Sequence, residues 1–424
     1  MVPDYSPASI RVIVPVGGRA KRLLPLTAEV SKACVRLLNR PLIEIALACL
    51  ARQGIRNFIF GVKGYVNFKS LHDYFGSGVG FSRKYNIKPR AHIKYSPNVE
   101  DYGSADSVRI NLEYYDIKDP IFGVQGDNIF DIDLEDLVDF HVRKEAFLTI
   151  GLREVDDVTG FGIAETDKDM RIARFIEKPE PEEAPSNLAN TGIYLFGPEI
   201  REIFNQPGIK KILKERRRLD FGYDLIPYLL DSGYQVYGYV LKGNWYDVGT
   251  PSRYLHAMKE ILHGGLESLR RFGHRVSKNA WIQGTSVESV KRREKIVRKI
   301  QKDRIVLEGA VLIGRHCHIG DNVRIVDSCI DNYTKIGDNV TVIGSSIMDR
   351  VIIGDGAEIR DSIIGRHTSV NSQLNAKTKI NDTSVISDDV VLEAGSTLVN
   401  TKVYPHLKVP RGEYINQTIK QVPP

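Results

Sequence analysis

Between residues 313 and 364 the sequence counts in seventeens. Ile319-Gly320-Asp321-Asn322-Val323 returns as Ile336-Gly337-Asp338-Asn339-Val340 and again as Ile353-Gly354-Asp355-Gly356-Ala357. The same register is kept by Ile313, Ile330, Ile347 and Ile364, and by Ser328, Ser345 and Ser362. A unit this short cannot bury its apolar residues alone, so successive copies have to stack. Within one copy the aliphatic residues return every five or six positions, as at Ile319, Ile325, Ile330 and Ile336. A helix of period 3.6 cannot produce that spacing. A triangular coil with three short strands per turn, each sending one aliphatic inward, does. The expectation is a parallel β-helix over residues 305–400, with a C-terminal tail over 401–424.

The first half of the chain has a different rhythm. Apolar strand patterns at 11–16, 57–62, 91–95, 121–124, 146–152, 193–196 and 236–240 alternate with helical patterns such as 41–53, 105–115 and 223–231. Such alternation predicts an α/β domain over residues 1–263 built on a largely parallel sheet, with ligands beyond the carboxyl ends of the strands. The chain has 424 residues, which exceeds one ordinary core and agrees with two domains. Residues 264–304 would join them as a basic linker, since Lys291-Arg292-Arg293-Glu294-Lys295-Ile296-Val297-Arg298-Lys299 reads as a solvated connector or helix face.

Charge and cysteine content narrow the class. The net charge of +6 is the difference between 59 cationic and 53 anionic side chains, a small excess that does not require nucleic acid as a partner. Cys34, Cys49, Cys317 and Cys329 show neither zinc nor redox spacing, which fits structural thiols in a reducing compartment. No apolar run reaches membrane-spanning length, and residues 1–10 lack a signal-peptide core. The expected place is the cytoplasm, with no membrane partner.

Chemistry-bearing residues stand at the ends of the predicted strands. The strand at 11–16 runs into Gly17-Gly18-Arg19-Ala20-Lys21-Arg22, and Lys32 follows ten residues after Arg22. Backbone amides at a strand-to-helix glycine turn, with cations beyond them, suit an anion such as a nucleoside triphosphate. The spacing matches neither the P-loop nor the dinucleotide fingerprint. A second strand ends in Gln125-Gly126-Asp127-Asn128, and a third is followed by Trp245-Tyr246-Asp247-Val248-Gly249-Thr250-Pro251. Asp127 and Asp247 are candidate Mg²⁺ ligands, because magnesium takes one or two carboxylates and fills its octahedron with water and phosphate oxygens. The ordinary alternatives are a turn cap at Asp127 and an N-cap at Asp247 over a helix starting near Pro251. Glu177 and Lys178 precede Pro179, which ends strand pairing, so both side chains can line one cleft. Glu177 suits sugar hydroxyls and Lys178 a sugar phosphate; the alternative is a solvated ion pair.

Taken together, Gly17-Gly18…Arg22…Lys32, Gly103-Ser104-Ala105, Gly126-Asp127, Phe161-Gly162-Ile163, Glu177-Lys178-Pro179, Asn190-Thr191-Gly192-Ile193-Tyr194 and Trp245-Tyr246-Asp247-Val248-Gly249 resemble the sugar-phosphate nucleotidylyltransferases, in order, over roughly residues 10–260. The phrasing Asp220-Phe221-Gly222-Tyr223-Asp224-Leu225-Ile226-Pro227 and Asp247-Val248-Gly249-Thr250 is similar to the glucose-1-phosphate adenylyltransferase branch, and thymidylyl-, uridylyl- and guanylyltransferases share much of the pattern. The coil resembles the left-handed hexapeptide-repeat β-helices.

The resemblance implies a Rossmann-like nucleotidyltransferase domain with a mixed, mainly parallel sheet, joined to a left-handed parallel β-helix. It implies transfer of a nucleotidyl group from an NTP to a hexose-1-phosphate, with glucose-1-phosphate the preferred acceptor. By it, Val16, Gly17, Gly18, Lys21, Gly103 and Asp127 meet the nucleotide. Arg22, with Lys21, faces the leaving pyrophosphate, Lys32 the α-phosphate, and Lys178 the sugar phosphate. Gly162, Glu177, Asn190 and Gly192 read the sugar, and Asp127 with Asp247 hold Mg²⁺. A homo-oligomer formed through the β-helix is expected from its exposed ends. The family's third glycine and its threonine are Ala20 and Lys21 in this chain, and Gln125 stands where Asn or Ser is usual. These departures keep a regulatory, weakly catalytic subunit as an alternative. A mannose-1-phosphate guanylyltransferase is another. A third is a bifunctional enzyme with acetyltransferase histidines at His316, His318 or His367.

Overall fold

The structure, a computed structural model, describes residues 3–18, 20–98, 101–269 and 272–421. By backbone packing the chain divides into two units. The first comprises Met1–Gly18, Ser31–Ala33 and Ile43–Trp245, and the second Arg19–Val30, Cys34–Leu42 and Tyr246–Pro424.

The first unit is built on a nine-stranded sheet. Its central run is parallel: Ile121–Val124, Arg11–Val16, Asn57–Lys63 and His92–Asn98 lie side by side, with Arg11 opposite both Ile121 and Asn57. These strands are apolar on both faces (Val12, Ile13 and Val14 are fully buried), as a sheet covered by helices requires. Leu188–Phe196 joins Ile121–Val124 antiparallel and also pairs with Leu148–Glu154, which runs parallel to Val236–Val240. The hairpin of Gly162–Thr166 and Ile172–Glu177 completes the sheet. The fold is a Rossmann-like nucleotidyltransferase fold, and the carboxyl ends of its parallel strands carry Gly17, Lys63 and Gln125.

In the second unit three sheets of nine, seven and six strands, parallel except for the first strand His274–Ser277, stack into a left-handed β-helix. Register follows the repeat: Leu312 lies over Cys329, Cys329 over Ser346 and Ser346 over Ile363. The next offset is 22 residues, Ile363 to Val385, because the chain bulges outward around the Gln373–Ala376 bridge. One aliphatic per face fills the interior, with Ile313, Ile330, Ile347 and Ile364 stacked and fully buried.

Two expected boundaries change. The stretch 264–304 is not a linker, because Ala280–Ile282 already pairs in parallel with Val311–Ile313 as the first rung of the coil. The basic run is the helix Val287–Ile300, inserted into that first turn; Ile296 is buried against the coil interior, Arg293 and Lys299 bond the carbonyls of Gly284 and Ile319, and Lys291, Lys295 and Arg298 are exposed. The helix caps an open end that a stacked coil otherwise exposes. The stretch 401–424 is not a tail either, because Lys402–Val403, Lys408–Val409, Glu413–Ile415 and Thr418–Ile419 continue all three sheets. The last turn shortens to 16 residues, Lys402 to Thr418, which hides its repeat from a count of seventeens. Among the described residues no helix is long and apolar enough to cross a membrane.

Candidate active site

At the carboxyl ends of the parallel strands in the first unit, Lys32 and Asp127 form a close ion pair, both side chains largely shielded from solvent. Lys32 begins a single helical turn, and Asp127 follows Gly126 at the tip of a fully buried strand, so neither has freedom to swing away. No other protein group bonds Asp127 Oδ1 among the described residues. Beside Lys32, the hydroxyl of Ser31 is buried without a hydrogen-bond partner, an orphaned polar atom of the kind that ligands satisfy.

A second group surrounds Glu177. Its strand ends there and Lys178 adopts a left-handed backbone, φ 53°, which an L-residue holds only when its surroundings impose it. The Lys178 amide donates to Phe161 O at 2.9 Å, and its Nζ lies 3.5 Å from Glu177 Oε1. Both side chains are thereby on one side of the strand end. Lys178 Nζ also sits 5.3 Å from the ring centre of Tyr223, and the Arg218 guanidinium 4.8 Å from the same ring. A Cβ at Gly162 or Gly222 would collide with the Glu177 carboxylate where it now lies, so either substitution would displace it. Burial pushes the Glu177 carboxyl above its ordinary value, the nearby Lys178 opposes this, and Asp220 adds to the rise.

Tyr194 connects the two groups. It is fully buried, stacked on Phe221 at 4.1 Å, and its hydroxyl accepts from Asn190 Nδ2 at 2.9 Å. Burial pushes the Tyr194 phenol's pKa up, the Asn190 hydrogen bond opposes this, and the charges of Glu177, Asp220 and Asp127 add to the rise. Asn190 is occupied at both ends, since its Oδ1 accepts from Gly192 N at 2.9 Å. Gln125 N donates to Gly192 O, which ties the Asp127 loop to the Asn190–Gly192 segment. Gly103 has φ 144°, and a Cβ there would meet Asp220 Oδ1 and Leu219 O; its glycine is explained by local packing, independently of any base. Asp220 in turn accepts from Ser104 N at 2.9 Å.

Lys21, Arg22 and Asp247 belong to the second unit. Lys21 and Arg22 occupy a single turn, Lys21–Leu23, preceded by Ala20 at φ 44°, a left-handed position where the family pattern has glycine. Asp247 Oδ2 pairs with Arg253 Nη1 at 2.7 Å. The N-cap of Pro251–Glu260 is Thr250, whose hydroxyl accepts from Arg253 N; capping therefore does not account for Asp247. Among the described residues no group of three metal-ligating side chains occurs. The donor set still fits magnesium, because an aspartate with a spare oxygen needs only phosphate and water oxygens to complete an octahedron. Of the coil histidines, His316 is engaged by Ser289 Oγ at 3.0 Å and stacked on Tyr333 at 4.8 Å.

Sequence reasoning passed over Ser31, Asp220, Tyr223 and Arg218 as site residues. In the sequence, Asp220 to Asp224 carry only family phrasing; the turn residues around Gly222 are the available signal.

The nucleotidyl transferase family matches residues 11–264, and the EIF2B subunit epsilon LbH domain matches residues 293–398. The UTP–glucose-1-phosphate uridylyltransferase of Synechocystis is 28% identical over 75% of this chain and 77% of its own length. The glucose-1-phosphate adenylyltransferase of Pseudothermotoga lettingae is 32% identical over 59% of this chain, which spans 60% of that enzyme's length. A crystal structure from Bacillus anthracis, assigned as a glucose-1-phosphate thymidylyltransferase in complex with a sucrose, is 24% identical with a TM-score of 0.50, covering 59% of this chain and 94% of that one; it bears on fold alone. With more than half of its length matched in one continuous span, the chain belongs to the nucleotidyl transferase family.

Proposed function

We propose that the protein transfers a nucleotidyl group from an NTP to glucose-1-phosphate, releasing pyrophosphate. The observation that carries this reading is the Lys32–Asp127 pair at the carboxyl ends of the parallel strands, with Glu177 and Lys178 paired at the end of another strand of the same sheet. An oxygen of the acceptor's phosphate attacks the α-phosphorus, the bond from that phosphorus to the bridging oxygen breaks, and pyrophosphate leaves. The nucleophile is already an anion at neutral pH, so the reaction needs alignment and charge neutralisation more than acid–base catalysis. Lys32 neutralises the α-phosphate and Lys178 the acceptor's phosphate. Arg22 and Lys21 receive the pyrophosphate, and Gly17 and Gly18 present backbone amides to the nucleotide. Glu177 accepts hydrogen bonds from sugar hydroxyls. Mg²⁺, when bound, would draw negative charge from the phosphates, with Asp127 and Asp247 as its protein ligands.

The test is pyrophosphate release with Mg²⁺ across ATP, UTP, dTTP, GTP and CTP against glucose-, mannose-, galactose- and N-acetylglucosamine-1-phosphate. The expected result is one productive pair containing glucose-1-phosphate, reduced at least about 10²-fold in Asp127→Ala. Ala20 at a left-handed position, followed by a cation, favours a second reading as a nucleotide-sugar-sensing regulatory subunit. Silence across the matrix with nucleotide sugar still bound would establish that one.

A further inference from the structure

Four residues after Lys32, the chain makes a tight hairpin whose strands are Arg36–Leu37 and Arg40–Pro41. Its two turn residues, Leu38 and Asn39, both have positive φ, 51° and 65°, and both are buried. A two-residue turn of this kind prefers Asn-Gly, so a buried leucine in the first position is held by something outside the hairpin. That something is the β-helix. Asn39 Nδ2 donates to Gln283 Oε1 at 3.0 Å and to Ile330 O at 3.3 Å, and Cys329 Sγ approaches Asn39 Oδ1 at 3.0 Å. The Arg36 guanidinium grips Asp331 through two nitrogens, Nη2 reaching Oδ1 at 3.0 Å, and it also bonds Asn39 O at 2.7 Å. Asp349, on the next coil, lies 3.7 Å from Arg36 Nε. Arg36 O accepts from Tyr254 OH at 2.6 Å, and that hydroxyl also meets Ser346 Oγ.

The segment on the other side of Lys32 is held as well. Ser387 Oγ donates to Pro25 O at 3.0 Å, and His406 Nε2 meets Glu29 at 2.9 Å. A coil with an aliphatic interior has no need of aspartates such as Asp331, whose side chain is 3% exposed. Burying such a charge costs stability unless it is paired, so its retention points to a registry role.

We propose that Arg36 is a positioning residue for the nucleotidyl transfer. Locked to Asp331 and Asp349 of the β-helix, it holds the segment that carries Lys21 and Arg22 and leads directly out of Lys32. The β-helix thereby serves the NTP half of the reaction, and the sugar-binding group around Glu177 stands apart from it in the chain. This rests on the proposed transfer for its kinetic readout and on nothing but the coil contacts for its structural one.

The test compares the full-length wild type with Arg36→Ala, Asp331→Ala, Arg36→Lys and the exchanged pair Arg36→Asp/Asp331→Arg. Two measurements are made on each: pyrophosphate-release kinetics with both substrates varied, and hydrogen exchange of the peptides covering residues 20–42. The single alanine variants are expected to lose roughly 10- to 100-fold in kcat/KM for the NTP, the cost of a misplaced reacting group, with KM for the sugar phosphate within about twofold. Arg36→Lys should fall between, and the exchanged pair should recover part of the loss. Exchange in 20–42 should quicken while the coil peptides stay protected. Folded alanine variants with wild-type NTP kinetics and unchanged exchange would overturn the proposal, as would equal losses toward both substrates with deprotection throughout the coil. If the wild type releases no pyrophosphate, the transfer reading fails by itself, and exchange still decides whether the clamp exists.

Discussion

At the residue scale, Glu177 carries the clearest conflict between stability and use. Its carboxylate is buried against Gly162 and Gly222, and the burial raises its pKa against the opposing pull of Lys178. A folded-state pKa above the unfolded value means that the native state binds the proton more tightly. Stability therefore falls as pH rises above the ordinary carboxylate value of 4.5. Glu177→Gln removes that burden while keeping the shape. The expected outcome is a thermal midpoint at pH 7 equal to or above wild type, with KM for the sugar phosphate raised about 10- to 100-fold, the worth of a charged hydrogen bond. A midpoint that drops with KM unchanged would assign Glu177 a structural role. The left-handed Lys178 next to it is the same kind of feature, a local backbone cost at the strand end.

At the scale of elements, the segment between Ala20 and Pro41 contains no long helix or strand, yet it is fastened at several points along the coil. One fastening titrates. The hydrogen bond that His406 donates to the Glu29 carboxylate raises the His406 pKa, slight burial works against it, and Asp389 and Asp388 add to the rise. The sign follows from linkage: the histidine's contribution is fully present below its unfolded value of 6.5 and is lost as pH rises through the higher folded value. His406 is exposed, so the effect is modest and salt-sensitive. The thermal midpoint of wild type should exceed that of His406→Gln at about pH 6 and converge with it by about pH 9. A constant difference across that range would remove the titrating bond from the account. The inserted helix Val287–Ile300 is a second instance of one element serving another, since Ile296 covers the end of the coil.

At the scale of the whole molecule, the family's matched span and the packed units do not coincide. The family covers residues 11–264 continuously, whereas packing assigns 19–30 and 34–42 to the unit that contains the coil. A chain ending at residue 264 would keep every candidate catalytic residue and lose Asp331, Asp349, Ser387 and His406. It is expected to bind nucleotide weakly and to release pyrophosphate at less than roughly a tenth of the full-length rate. Equal activity of the two forms would show that the coil contributes nothing to the reaction. Much of this architecture was legible in the residue order, because periodicity is a local property. Aliphatics spaced by five or six can only line a three-sided coil, alternating strand and helix patterns can only stack as an α/β sheet, and Gly126-Asp127 or Glu177-Lys178 announce strand ends. The extent of the coil was less legible, because a 14-residue helix interrupts its first turn and its last turn is one residue short. The partners of Arg36, Glu29 and Pro25 lie some 300 residues or more away, and nothing in a local pattern encodes which buried aspartate or serine a given side chain will meet. Those pairings exist only once the coil has stacked and the chain has folded back upon it. That is why candidate residues could be named from sequence while their long-range partners had to be found in three dimensions.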